Sequence, residues 1–203
     1  MQTATALPTP EMPQKTSAKA TEPKAKRLVS LEQFLLRYTN REDPFKYEWN
    51  KGVIEKKPRT INRNQFAILQ KLMRFFTKTA AYAAKGEMIC EVDMFLPKAE
   101  RTRRADIAYL SGEQMKASRD GVPSVCTFVM EVISKNDQIN EVAEKLKEYF
   151  ADGVQVVWVI FPQIQKVEVW RSVRDVTICF DNDICTATPV LDDFQITVNE
   201  IFK

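Results

Sequence analysis

Histidine is absent from all 203 residues. That excludes Ser-His-Asp and Cys-His catalytic arrangements and any histidine-ligated zinc centre. Long apolar runs are missing too. A membrane-spanning helix needs roughly 20 such residues, and the best stretch here, Val154 to Phe161, is far shorter and interrupted by Gln155. The N-terminus has no apolar h-region, so no secretory signal is read; a cytoplasmic protein with no membrane partner is expected. Cys90, Cys126, Cys179 and Cys185 show no C-x-x-C spacing, and each lies in or beside a strand-like run. Free buried thiols fit that pattern. A dominant charge is also lacking. The net +3 comes from residues 1–28, where Lys15, Lys19, Lys24, Lys26 and Arg27 outnumber Glu11 and Glu22, leaving 25 residues of each sign in the remainder. Its distribution is uneven: residues 51–86 hold nine Lys/Arg and only Glu55, while 175–203 is mostly acidic. Such segregation permits a local basic face.

What is present suits one domain with a sizeable core. Residues 1–28, rich in Thr, Pro, Ala and Lys, are expected to be a disordered tail, and 29–203 to form the domain. Ser30 to Gln33 is a capping-box pattern that opens a short helix ending near Tyr38. Residues 46–55 read as a hairpin turning at Gly52. Phe66, Leu69, Leu72, Met73, Phe76, Ala80 and Ala83 fall at helical spacing, which predicts one long amphipathic helix from Asn62 to about Gly86. Strands follow at 87–96 and 103–110. Residues 111–124 read as a loop with at most one helical turn, and 125–133 as a central strand. Ser134, Asn136 and Asp137 offer N-caps for a helix along Ile139, Val142, Ala143, Leu146, Tyr149 and Phe150, which Gly153 ends. Residues 154–161 form another central strand, 167–170 an edge strand, and 176–180 with 184–188 a hairpin around Asp181-Asn182-Asp183. The tail from Val190 to Phe202 folds back onto the domain. Three successive strands favour antiparallel pairing, and strand-helix-strand at 125–161 demands a parallel crossover. The expected class is therefore α/β (α+β) with a mixed sheet: helix, three strands, helix, strand, plus an N-terminal hairpin and C-terminal strands.

Two of these apolar runs each carry one carboxylate, Asp106 in Arg104–Leu110 and Glu131 in Phe128–Ser134. A carboxylate among β-branched and aromatic neighbours is expensive to bury unless it is paired or holds a cation. If the two strands are neighbours and the side chains share a face, the groups lie about 5 Å apart. One must then protonate unless a cation sits between them. Mg²⁺ accepts oxygen ligands and keeps several waters, and the Val132 carbonyl is a further donor; such an ion acidifies water and stabilises charge on a phosphate. Against this, Asp106 pairing with Arg103 or Arg104, and Glu131 satisfied by backbone donors, explain the same pattern. Lys145 and Lys147 flank the apolar stripe of the helix on opposite edges, and periodicity does not choose between them.

The order of these elements, with an acidic residue in the second core strand, Glu in the third and a supporting lysine, resembles the PD-(D/E)XK, restriction-endonuclease-like superfamily. More narrowly, the chain resembles its uncharacterised bacterial restriction-endonuclease group. The matching segments are Tyr47-Glu48-Trp49-Asn50-Lys51-Gly52, Ala105-Asp106-Ile107-Ala108, Met130-Glu131-Val132-Ile133-Ser134, Lys145 to Tyr149, Gly153 to Trp158 and Leu191 to Phe202. The resemblance implies Asp106 and Glu131 as metal ligands for Mg²⁺, with Mn²⁺ as an alternative, and selects Lys145 as a lysine supplied from the helix. It adds Glu48 as an accessory ligand. In this chain Ile133 occupies the strand position where the motif has its lysine, Ala105 replaces the motif proline, and Asn62 to Gln65 replace a histidine frequent in the group.

The preferred reading is a Mg²⁺-dependent endonuclease acting on DNA phosphodiesters. Lys56, Lys57, Arg59, Arg63, Arg101, Arg103 and Arg104 are its expected backbone contacts. A homodimer is expected, with no organic cofactor. Two other readings share the fold: a nucleic-acid-binding module without turnover, and a structural or regulatory homodimer joined through the apolar C-terminal strands.

Overall fold

A computed structural model describes residues 28–39, 41–58, 63–119, 124–135 and 137–203. The tail expected at 1–28 therefore lies almost wholly outside the described residues, as do Arg59, the Arg63 side chain and Asn136. Ser30 caps α1 (Leu31–Tyr38), its Oγ accepting from the Gln33 amide at 3.2 Å. The hairpin is β1 (Phe45–Asn50) and β2 (Val53–Pro58). Its two-residue turn places Lys51 and Gly52 at φ 47° and 88°, the doubly left-handed geometry that matches strand twist.

The expected long helix is broken in two, α2 (Arg63–Phe76) and α3 (Ala80–Ala83). The cause is Thr79, a buried hydroxyl that donates to the Phe76 carbonyl at 2.7 Å and accepts from the Tyr82 amide at 3.2 Å. It serves as C-terminal partner of one helix and N-cap of the next, and periodicity is blind to that. β3 (Glu87–Leu96) and β4 (Arg101–Leu110) follow. The stretch read as a loop contains α4 (Gly112–Arg119). A reciprocal Ser111–Gln114 capping box opens it, amide to Oγ at 3.2 Å and amide to Oε1 at 3.0 Å. Then come β5 (Phe128–Val132), α5 (Ile139–Ala151) and β6 (Val156–Phe161). The N-cap of α5 is Gln138, with no side-chain bond; Asp137 instead accepts from the Ser134 amide.

Both pairing expectations hold. β4 runs antiparallel to β3 and β5, and β5 runs parallel to β6 across α5. The sheet continues through β7 (Lys166–Ser172) and β8 (Asp175–Phe180) in the order β2-β1-β4-β5-β6-β7-β8, with β3 on the other edge of β4. Two details differ from expectation. β7 has neighbours on both sides and is no edge strand, and β8 does not pair with β9 (Ile184–Ala187). β9 joins β10 (Leu191–Thr197) in a separate small sheet, and α6 (Val198–Phe202) ends the chain. This returning tail covers one sheet face together with α2. Phe194 stacks on Trp158 at 5.6 Å and meets Phe76 and Phe128 edgewise or tilted. α5 covers the other face through Leu146 and Tyr149. Each large apolar side chain enclosed this way contributes about 2–3 kcal/mol.

Candidate active site

The site forms where one edge of β4 is shared unequally. Arg101, at its start, pairs with β1, while Ile107 to Tyr109, at its end, pair with β5. Between them the edge is open, and side chains satisfy the backbone groups there. Glu48 of β1 accepts from the Arg104 amide at 3.3 Å, and Thr102 accepts from the Trp49 amide at 2.7 Å. Asp106 in turn accepts from the Val132 amide at 2.8 Å. The gap opens into a cleft of about 380 Å³ bordered by Lys46, Glu48, Glu91, Asp106, Glu131 and Lys145.

Ile107 stands opposite Met130, and the same register carried one residue further sets Asp106 against Glu131. Neither carboxylate has the partner the simpler reading gave it. Arg103 and Arg104 turn to other acids, and Glu131 takes side-chain donors: the Lys145 ammonium and the Tyr149 hydroxyl, both at 2.6 Å. Lys147 is exposed on the far side of α5. Asp106 is pushed up to about 7, first by burial and then by the neighbouring Glu131. Burial works against the Lys145 cation, yet Glu131, Glu48 and Asp106 outweigh it and hold its pKa above the usual lysine value. Glu48, 2% exposed, follows the same balance. Burial raises its pKa, and the charges of Lys145, Arg103 and Lys57 lower it further, so it stays ionised.

The arginines of β4 are not where the sequence reading put them. Arg101, Arg103 and Arg104 are 4%, 2% and 6% exposed. Arg101 reaches Glu148 at 2.8 Å and Glu55 at 3.0 Å, and Arg103 reaches Glu148 at 2.6 Å and Glu48 at 3.1 Å. Arg104 is forked onto Asp93. Buried guanidiniums already ion-paired within the fold are poorly placed to meet a phosphate backbone, and these three act here as ties between β4 and its neighbours. Of the other basic residues, Lys56 is exposed over the Phe45 ring at 3.6 Å, and Lys57 borders the cleft, paired with Glu141 at 2.9 Å. Lys46, Glu91 and Tyr149 are parts of the site that sequence reasoning missed. Lys46 alternates out of a hairpin strand without any signal. Tyr149 reads as core because its ring is core, and its hydroxyl is what reaches Glu131.

Two carboxylates facing each other across neighbouring strands, one raised by the other, suit a divalent cation. Among the described residues no three His, Cys, Asp or Glu side chains already form a cage. Mg²⁺ is commonly bound through one or two carboxylates, with water filling the remaining positions. No described helix is long and apolar enough to cross a membrane.

Comparison with known proteins agrees with this architecture. No curated protein matches the chain. A crystal structure described as a putative nuclease belonging to DUF820 from Anabaena variabilis ATCC 29413 superposes with a TM-score of 0.68 at 16% identity, covering 86% of this chain and 97% of that one. At that identity the likeness is one of fold. A cryoEM structure of a DrdV-DNA complex aligns over 57% of this chain and 12% of that one, at 10% identity and a TM-score of 0.31, too low to carry weight. Residues 31–199 match the model of the family described as "Uma2: Putative restriction endonuclease", and the chain belongs to that family.

Proposed function

We propose that the chain is a Mg²⁺-dependent endonuclease that hydrolyses DNA phosphodiester bonds, with Mn²⁺ able to replace Mg²⁺. The observation that carries this reading is the convergence on one cleft of Asp106, Glu131 and the Lys145 ammonium 2.6 Å from Glu131. Asp106 and Glu131 would hold the cation, with the Val132 carbonyl and Glu48 as further oxygen donors. When bound, the ion supplies the positive charge that acidifies water and stabilises an anionic phosphate. Lys145 stays protonated, so it is an electrostatic group and not a proton acceptor. Its charge orients the attacking water or neutralises oxygens on the phosphate. Its position on α5 offsets the loss of a lysine at Ile133, since the helix delivers an ammonium to the same glutamate. Lys46 and Lys57, which border the cleft, take the phosphate-contacting role expected of the β4 arginines, while Lys56 lies exposed on the opposite face of the hairpin.

The direct test is cleavage of supercoiled and linear duplex DNA with Mg²⁺ or Mn²⁺. Asp106→Ala and Glu131→Ala are expected to abolish cleavage while retaining the circular-dichroism spectrum. Lys145→Met is expected to keep metal binding and to lose on the order of a hundredfold or more in rate. Equal cleavage by wild type and Asp106→Ala would trace the activity to a contaminant and end the proposal. Salt-dependent DNA binding that is indifferent to Mg²⁺, with no turnover, would point to a binding module.

A further inference from the structure

Glu91 borders the cleft, yet neither the fold nor the chemistry above gives it a use. It stands in β3 opposite Asp106. The ladder pairs Cys90 with Ile107 and Val92 with Ala105, and the rung between them is not formed. Its φ is 56°, a left-handed conformation that costs a non-glycine residue energy in the middle of a strand.

The packing on either side shows what that kink does. Met88 and Cys90 pack toward α2, and Ile89 toward α5; beyond Glu91, Val92, Met94 and Leu96 all pack toward α5. Strict alternation from Met88 would have sent Val92 and Met94 the other way. β4 changes phase at the same level, with Ile107 on the α2 side and Ala105 on the α5 side. With the register unchanged across this rung, the left-handed residue acts as a local kink that flips the facing of both strands, and it leaves Glu91 on the wall of the cleft that Asp106 and Glu131 border. The Oε2 atom of Glu91 is enclosed and accepts no hydrogen bond among the described residues. An enclosed carboxylate oxygen without a donor is costly to maintain, and the Arg104 guanidinium, forked onto Asp93, acts on Glu91 only through space.

We propose that Glu91 is a third carboxylate donor to the divalent cation held by Asp106 and Glu131. This inference rests on the function proposed above. Since no three acidic side chains yet converge among the described residues, one must move when the ion arrives. Glu91 moves at least cost, because its Oε2 gives up no hydrogen bond. Glu131 would have to leave Lys145 and Tyr149 to make the same approach.

The test is Mn²⁺ binding to the full chain, followed by the electron paramagnetic resonance of the free ion and by calorimetry, for wild type, Glu91→Gln, Glu91→Gly and Asp106→Asn. Both Glu91 variants are expected to weaken binding on the order of tenfold to a hundredfold, and Asp106→Asn at least as much. Without metal, the melting midpoints of the Glu91 variants are expected not to fall below wild type, because the buried Oε2 of the lost carboxylate accepts no hydrogen bond among the described residues. Wild-type affinity in Glu91→Gln, with affinity lost in Asp106→Asn, overturns this inference and leaves the proposed function standing. Wild-type affinity in Glu91→Gly overturns it too. Absence of Mn²⁺ binding by the wild-type chain overturns both.

Discussion

Asp106 holds a proton near neutrality because burial and Glu131 both disfavour its charge. An unfolded aspartate releases that proton near pH 3.9. Between there and about 7 the native state binds more protons than the unfolded one. Stability from this group is therefore fully present below about pH 4, falls as pH rises to about 7, and levels off beyond it. Asn mimics the protonated carboxyl and keeps an acceptor for the Val132 amide. Asp106→Asn is thus expected to raise the melting temperature of the metal-free protein by several degrees at pH 8 and hardly at all at pH 4. Thermal melts across that range check it; an equal shift at both pH values would mean Asp106 is not the titrating group. The same proton competes with a cation, so metal affinity should climb as pH rises toward 7.

At the scale of elements, Glu148 adds to the packing of α5 on the sheet by gripping two buried arginines. Glu148 lies three residues from Lys145, and its oxygens take Arg101 and Arg103 at 2.8 and 2.6 Å. Removing one partner of a buried ion pair leaves uncompensated charge. Glu148→Ala is expected to lower unfolding free energy by about 3–5 kcal/mol, read from urea denaturation. A loss under 1 kcal/mol would show that the remaining partners of Arg101 and Arg103, Glu55 and Glu48 among them, compensate them without Glu148. The sequence reading paired Arg103 with Asp106 or a phosphate backbone and said nothing of Glu148, which sits 45 residues away. The break at Thr79 has a different origin. Every apolar position of the predicted long helix is present, but one buried hydroxyl satisfies both helix ends at once.

Considered whole, the molecule closes its core with its last elements. Phe194, Ile196, Val198 and Ile201, all buried, lie against the α2 face with Trp158 and Phe128. A chain ending at Pro189 would expose that surface, and it is expected to lose its cooperative melt and to bind hydrophobic dye; a folded, soluble product would show the tail to be an accessory. The charge pattern also acts at this scale. With the β4 arginines turned inward, the DNA binding proposed above rests on Lys46 and Lys57 at the cleft. Lys46→Ala is expected to weaken DNA binding across sequences and to flatten the salt dependence by about one counterion, whereas the surface lysine substitution Lys147→Ala, away from the cleft, should leave that slope unchanged.

The sequence by itself determined most strands and the helix α5, the parallel crossover around it, and the placement of two carboxylates inside core strands, because backbone periodicity and turn chemistry act over a few residues; the helix α4 and the break at Thr79 escaped it. It left Lys145 and Lys147 symmetric about one stripe, and only the family resemblance separated them. Tertiary structure decided the rest: that Lys145 meets Glu131, that Arg101, Arg103 and Arg104 spend their charge indoors, that β8 and β9 part into different sheets, and that a kink turns Glu91 into the cleft. Each of these depends on which distant strand or helix lies alongside. Contacts between groups dozens of residues apart leave no period in the chain, so they become readable only when the fold brings them together.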